Sequence, residues 1–247
     1  MQISEYQNIY KSEASHYYYV GTHEILLALI SSVVKKNKPL QILDAGCGTG
    51  LFAMKLKPFG KVTGIDMSDE ALKFARLRKL KVKKASITNL PIKENTFDLV
   101  VSNDVICHKS IKDDQSAVDE LTRVLKPGGI LVLKLPAFDW LKGSHDKHVF
   151  TKKRYTKSEV EKMLKKSNNN IIKSTYAGSF LVLPVIIKNV FDNLISKSSY
   201  SSVQDVGKLL NTLLVVLFKI ECSFVSFLSI PFGITIITIS RKGNYEK

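Results

Sequence analysis

Residues 42–50, Ile-Leu-Asp-Ala-Gly-Cys-Gly-Thr-Gly, constrain this chain more than any other stretch. A short apolar run ending in an acid, then glycine at every second position, describes a strand that turns sharply into a helix around a ligand. Gly46, Gly48 and Gly50 leave no Cβ in the way, so backbone and ligand can approach closely. A dinucleotide fingerprint needs G-x-G-x-x-G, but the third glycine comes one position early and Leu51 stands where the pattern wants it. No Gly-Lys-Ser/Thr follows the turn, which removes the P-loop. Two readings remain. One is a nucleoside ligand without a phosphate chain, its cationic end beside Asp44; the other is a tight strand-to-helix turn with no ligand.

This loop resembles motif I of the class I S-adenosylmethionine (AdoMet) dependent methyltransferases. The resemblance implies AdoMet as cofactor, with S-adenosylhomocysteine as product, held by Asp44, Ala45, Gly46, Cys47, Gly48 and Gly50. Val62–Ser68 is a second apolar strand ending in an acid, with Asp66 about 20 residues beyond Gly46, the spacing at which a carboxylate reaches ribose hydroxyls. Asp66 is the expected ribose ligand, with Met67 beside it. A third strand is expected over Lys81–Ala85. The family places an acidic residue just after it to touch the adenine amino group, whereas this chain has Ser86 and Ile87.

Residues 95–103 give a turn, a fourth buried strand and a polar exit at Asn103, and Leu121–Gly129 looks like the helix end and Pro-Gly-Gly turn that the family carries before its fifth strand. Strands alternating with helices imply a parallel sheet covered on both faces, and ligands bind outside the carboxyl ends of its strands. The expected fold is therefore α/β: a Rossmann-like, doubly wound, mostly parallel seven-stranded sheet with an antiparallel last strand and helices on both faces. The expected organisation is a lid or helix over 1–38, an AdoMet-binding core over 39–178, an apolar helical insertion over 179–230, and a final strand and tail over 231–247.

Two stretches outside the nucleoside site bear on the acceptor. Glu13–Tyr19 resembles the His-plus-aromatic lid of a small-molecule subset of these enzymes, which assigns His16 and Tyr19 to the cofactor; otherwise the segment packs aromatics at the start of a helix. After strand five, Trp140, the Gly143-Ser144-His145-Asp146 run and the Arg154-Tyr155-Thr156 run open where the acceptor must sit. The same subset carries a His-Asp and an Arg-Tyr-Thr pair here, so Trp140, Arg154 and Tyr155 are expected substrate contacts. Thr156 with Glu159 also makes a helix capping box. If the acceptor is a hydroxyl, a base must take its proton, and His145 and His108 are the candidates. Each is alternatively a hydrogen-bonded structural histidine.

The net charge of +15 admits nucleic acid, anionic lipid or an anionic substrate as partner, or simply a lysine-rich surface. The basic runs 76–84 and 152–154 lack the interleaved aromatics of a single-strand stacking platform. Base methylation in this class uses Asp/Asn-Pro-Pro-Tyr/Phe after strand four; Ser102-Asn103-Asp104-Val105 lacks both prolines, which argues against an RNA methyltransferase. Cys47, Cys107 and Cys222 have neither paired nor zinc-site spacing, so no metal is expected and the thiols read as reduced in a cytoplasmic protein. Met1–Tyr6 lacks the basic start and apolar core of a secretory signal. Residues 209–239 are very apolar, but Lys219, Glu221, Pro231 and Gly233 interrupt the roughly 20 apolar residues a spanning helix needs.

The expected function is methyl transfer to a small-molecule acceptor, O-directed, in lipid, isoprenoid, glycan or secondary-metabolite synthesis. Carbon methylation of an apolar or isoprenoid acceptor, RNA methylation and a noncatalytic AdoMet-binding module are the alternatives. The long apolar stretch before the last strand, with a loop expected at Ser196–Ser202, suits a roof over an apolar acceptor or a dimer contact. Peripheral contact with a membrane and a monomeric or homodimeric state stay open.

Overall fold

The computed structural model describes residues 3–34, 38–195 and 206–243. The loop expected at 196–202 lies outside them. Seven strands form one sheet: β1 (Leu40–Ala45), β2 (Gly60–Asp66), β3 (Lys81–Lys84), β4 (Phe97–Asn103), β5 (Leu125–Pro136), β6 (Asn169–Ala177) and β7 (Thr235–Lys242). Their order is β3-β2-β1-β4-β5-β7-β6. All neighbours pair in parallel except β7, which runs antiparallel to both β5 and β6. The expected fold is present, with strands six and seven displaced by one or two residues from Ile171–Ala177 and Ile234–Ser240.

The period of two in a strand divides the core into two layers. Ile42, Leu99, Val101, Ile130 and Val132 face one side, where α2 (Tyr17–Val33) lies with Ile25, Leu26, Leu29 and Ile30. Leu43, Val100, Leu131, Leu133 and Leu135 face the other, against α5 (Asp114–Val124) and α7 (Lys157–Lys166). α7 opens on the expected capping box: Thr156 N donates to Glu159 and Glu159 N to Thr156. Edge strand β3 carries exposed Lys81, Lys83 and Lys84, so the basic run is largely solvated and its charge discourages pairing with a further strand.

The remaining helices are α1 (Ile3–Ser12), α3 (Leu51–Leu56), α4 (Asp69–Leu77), α6 (Ser144–His148), α8 (Val182–Ile195) and α9 (Lys208–Val225). The last two fill the interval between β6 and β7. α9 lies on α2, where Phe218 occupies the space above Gly21; a Cβ on that glycine would stand 2.1 Å from the Phe218 ring. α9 adds Phe218 and Val225 to the core beside α2, while α8 sends Val185, Lys188 and Asn189 toward a cavity at the carboxyl ends of the strands.

Candidate active site

β1 and β4 are adjacent strands that lead into helices in opposite directions along the sheet, so a crevice opens at their carboxyl ends. A cavity of about 810 Å³ fills it. The glycine loop forms one wall. Gly46, Gly48 and Gly50 have φ of +87°, +53° and +88°, the left-handed region where a side chain is strained. Gly46 N and Cys47 N both donate to Ile65 O at 2.8 Å, folding the loop back onto β2. A Cβ at Gly46 would meet Val105 at 2.1 Å, whereas one at Gly48 would meet nothing within 4 Å, because that glycine faces open space.

Two carboxylates stand behind this loop. Asp66 accepts from Gly48 N and Ser68 N, both at 2.9 Å, which fixes it at the β2 end while it lines the cavity. Asp44 is 1% exposed, and its Oδ2 has no hydrogen-bond partner. Burial first, and the nearby Asp66 charge second, push its pKa up to about 7. Asn103 Oδ1, also on the cavity wall, is likewise buried without a partner. Orphaned buried acceptors are costly in a folded chain, and here both face a space that a ligand carrying N–H donors would satisfy.

The amino-terminal segment closes one side of the same cavity. Tyr6, Ile9, Glu13, His16 and Tyr19 line it. His16 caps α2 by accepting from Tyr18 N, and its ring lies edge-on to Tyr19 at 5.9 Å. Buried Glu13 accepts from the Thr49 hydroxyl at 2.5 Å and from Arg78 Nη1 at 2.8 Å, joining this segment to the glycine loop. Burial raises the Glu13 pKa despite both donors.

Farther along the wall lies Lys134, which sequence reasoning missed, and beyond it the expected Arg154. Lys134, nearly fully buried on β5, pairs with Asp104 and donates to Tyr18 Oη at 3.2 Å. Burial alone would lower its pKa, but Asp104 and Tyr18 raise it above the ordinary lysine value. A lone lysine inside the apolar run Ile130–Leu135 was the available signal. Arg154 makes a bidentate pair with Asp146, Nε to Oδ1 at 3.0 Å and Nη2 to Oδ2 at 2.9 Å, which with Gly143 N holds Asp146 below the usual carboxylate range despite burial.

Both histidines line the cavity. His145 is largely buried, which lowers its pKa and keeps it neutral near pH 7. His108 is lowered to about 4 by burial and then by nearby positive charges, and its Nδ1 accepts from Ser110 N at 3.1 Å. The same nitrogen lies 2.7 Å from the Ser110 hydroxyl, so Ser110 engages it through both backbone and side chain.

Met67, Ile87 and Asn103 also reach the cavity. Ala45 and Gly50 shape the loop without lining the space, and Ser86 turns aside to bond Thr88. Two expected substrate contacts are displaced. Trp140 is 63% exposed and stacks on Phe138 outside the cavity. Tyr155 is fully buried, its hydroxyl donating to Asp114 Oδ2 at 2.7 Å, so this phenol fills the core while its neighbour Arg154 faces the site.

A methyltransferase domain model matches residues 43–133, the span from the end of β1 into β5. An uncharacterized protein of Methanocaldococcus jannaschii is 30% identical over 177 residues, covering 68% of this chain and 84% of the relative. The chain belongs to the class I AdoMet-dependent methyltransferases. The chain is also 32% identical over 119 residues to a demethylmenaquinone methyltransferase of Staphylococcus aureus, covering 44% of this chain and 48% of that one. It spans about half the length of the first curated relatives it matches. Its fold is shared with an AdoMet-dependent methyltransferase of Thermotoga maritima described as a possible histamine N-methyltransferase, at TM-score 0.59, 19% identity and coverage of 97% and 96%. The cofactor of this family is AdoMet, and the site fits it: orphaned Asp44 Oδ2 suits an ammonium, Asp66 suits hydroxyls, and Gly48 leaves the approach open.

Proposed function

We propose that the protein moves a methyl group from AdoMet to the hydroxyl of a small, largely apolar acceptor, with His145 as general base. The observation that carries this reading is the single cavity shared by the cofactor residues Asp44, Gly48 and Asp66 and by His145, Arg154 and Val185. When bound, AdoMet supplies a methyl carbon already activated by a sulfonium. The protein's work is to orient the acceptor in line with that carbon and to exclude water.

Asp44 and Asp66 hold the cofactor's polar ends. The acceptor lies toward Leu141, Val185 and Ile234, which supply apolar wall. A ring nitrogen of His145 takes the hydroxyl proton as the oxygen forms its new bond. A histidine kept neutral by burial is ready for that role at neutral pH. Arg154 is already neutralised by Asp146, so it orders the wall at 143–154. Lys134 holds the Tyr18 hydroxyl at the cavity surface, where it aligns the acceptor.

The similarity to a demethylmenaquinone methyltransferase favours a second reading, carbon methylation of an isoprenoid ring acceptor. Turnover of labelled AdoMet with phenolic, quinol and isoprenoid acceptors, followed by mass analysis of the product, separates the two. Label on oxygen supports the first reading and label on carbon the second. An absence of turnover with every small acceptor, alongside labelling of RNA in an extract, overturns both.

A further inference from the structure

Two helices carry apolar stripes on their outer faces. On α9, Leu209, Leu213, Val216, Ile220 and Phe224 recur at spacings of three and four and are all exposed, Leu209 by 88%. The opposite face, Phe218, Glu221 and Val225, is the buried one. α8 repeats the arrangement, with Leu183, Ile187 and Phe191 exposed while Val185 and Asn189 line the cavity. Single exposed hydrophobics are ordinary, but a helix apolar on both faces has a second apolar environment to meet.

We propose that these outer faces rest on the surface of an anionic lipid bilayer. Among the described residues no helix is long and apolar enough to cross a membrane, so contact is along the surface. The charges of α9 fit a negative surface: Lys208 and Lys219 are exposed, while its one carboxylate, Glu221, is turned inward and accepts from Gly178 N and Ser179 N at 2.7 and 3.0 Å. A second copy is the poorer occupant, because each chain carries a net charge of +15 and a self-contact would bring like charges together, whereas an anionic surface attracts both. The arrangement also has a use. Val185 and Val206, at the cavity wall, belong to α8 and to the approach to α9, so an apolar acceptor leaving the lipid meets the site across these elements.

Flotation of the full-length protein with phosphatidylglycerol vesicles, without cofactor or acceptor, tests the docking separately from methyl transfer. Wild type should float with these vesicles, less so as salt rises, and far less with phosphatidylcholine. The double variants Leu213→Ser/Phe224→Ser and Lys208→Glu/Lys219→Glu, checked for folding by circular dichroism, should each lower partitioning by roughly tenfold. Wild type that stays off phosphatidylglycerol at low salt overturns the proposal, as does unchanged partitioning of both variants. A dimer in light scattering that Leu213→Ser/Phe224→Ser dissolves, without vesicle binding, assigns the face to a second copy and also overturns it.

Discussion

The Glu13 carboxylate accepts a 2.5 Å hydrogen bond from the Thr49 hydroxyl, across 36 residues of sequence, and so fastens the segment ahead of α2 to the glycine loop. Arg78 completes the link by donating to both Glu13 and the Thr49 carbonyl. The amino-terminal wall of the cavity and the glycine loop are therefore one hydrogen-bonded unit. Glu13→Gln keeps the shape but loses the charge facing Arg78. It should destabilise the fold by about 1–3 kcal/mol and weaken AdoMet binding, measured by denaturant unfolding and calorimetry. An unchanged midpoint and affinity would show that the link is incidental.

Asp44 makes the stability of the cofactor-free protein depend on pH. Its folded pKa is raised to about 7 from an ordinary value near 4, so the folded state holds a proton that the unfolded chain releases earlier. Stability from this group is present below about pH 4 and is lost as pH rises through about 7, a swing on the order of 4 kcal/mol. Asp44→Asn should remove that contribution, read as a flatter Tm profile between pH 5 and 8. AdoMet affinity should move the other way and rise through pH 7, because its ammonium is matched by the ionised carboxylate.

Asp66→Ala removes the acceptor of Gly48 N and Ser68 N, and with it the partner proposed for the ribose hydroxyls. Calorimetry should show AdoMet affinity falling by roughly 10- to 150-fold, the range for charge-assisted bonds. Wild-type affinity in the variant would remove Asp66 from the cofactor site.

The three glycines of the loop should not respond alike. Gly46→Ala places a methyl 2.1 Å from Val105 in a backbone with φ of +87°, so it should lower stability by about 1–3 kcal/mol or more. Gly48→Ala meets open space, so its stability cost is limited to the strain of a φ of +53°, and its larger effect should be lost AdoMet affinity. Thermal melts with and without AdoMet distinguish these effects. Equal melting losses without ligand would contradict the geometry.

The two histidines should separate by kinetics. His145→Ala should lower kcat by about 10²–10⁴-fold, the contribution of a positioned base. His108→Ala should change kcat far less, because its Nδ1 is engaged by Ser110 and its low pKa makes it a weak base. Comparable kcat losses in both variants, or none in His145→Ala, would reject this division.

Much of the fold was legible because its signals are local. The apolar runs of β1, β4 and β5, the turn at 127–129 and the capping box at Thr156 each lie within a dozen residues, so periodicity and turn chemistry expose them. Asp44, Gly48 and Asp66 were legible for the same reason, since a strand, its loop and the next strand end form one continuous unit. The acceptor wall was not. Trp140 and Tyr155 lie in a segment of mixed polarity where chemistry alone does not say which side chains turn inward, and the structure sends one to solvent and the other to the core.

By itself, then, the sequence determined a doubly wound sheet and a tight glycine loop at its carboxyl edge, because glycines at fixed spacing and acids at strand ends constrain the backbone directly. Only the tertiary structure decided the opposite wall. Lys134 and Tyr18 are 116 residues apart, and Glu13 and Arg78 are 65. Such pairs meet through the strand order and the packing of α2 across the sheet, and burial makes them strong. No spacing in the chain records a contact that the crossing of strands creates.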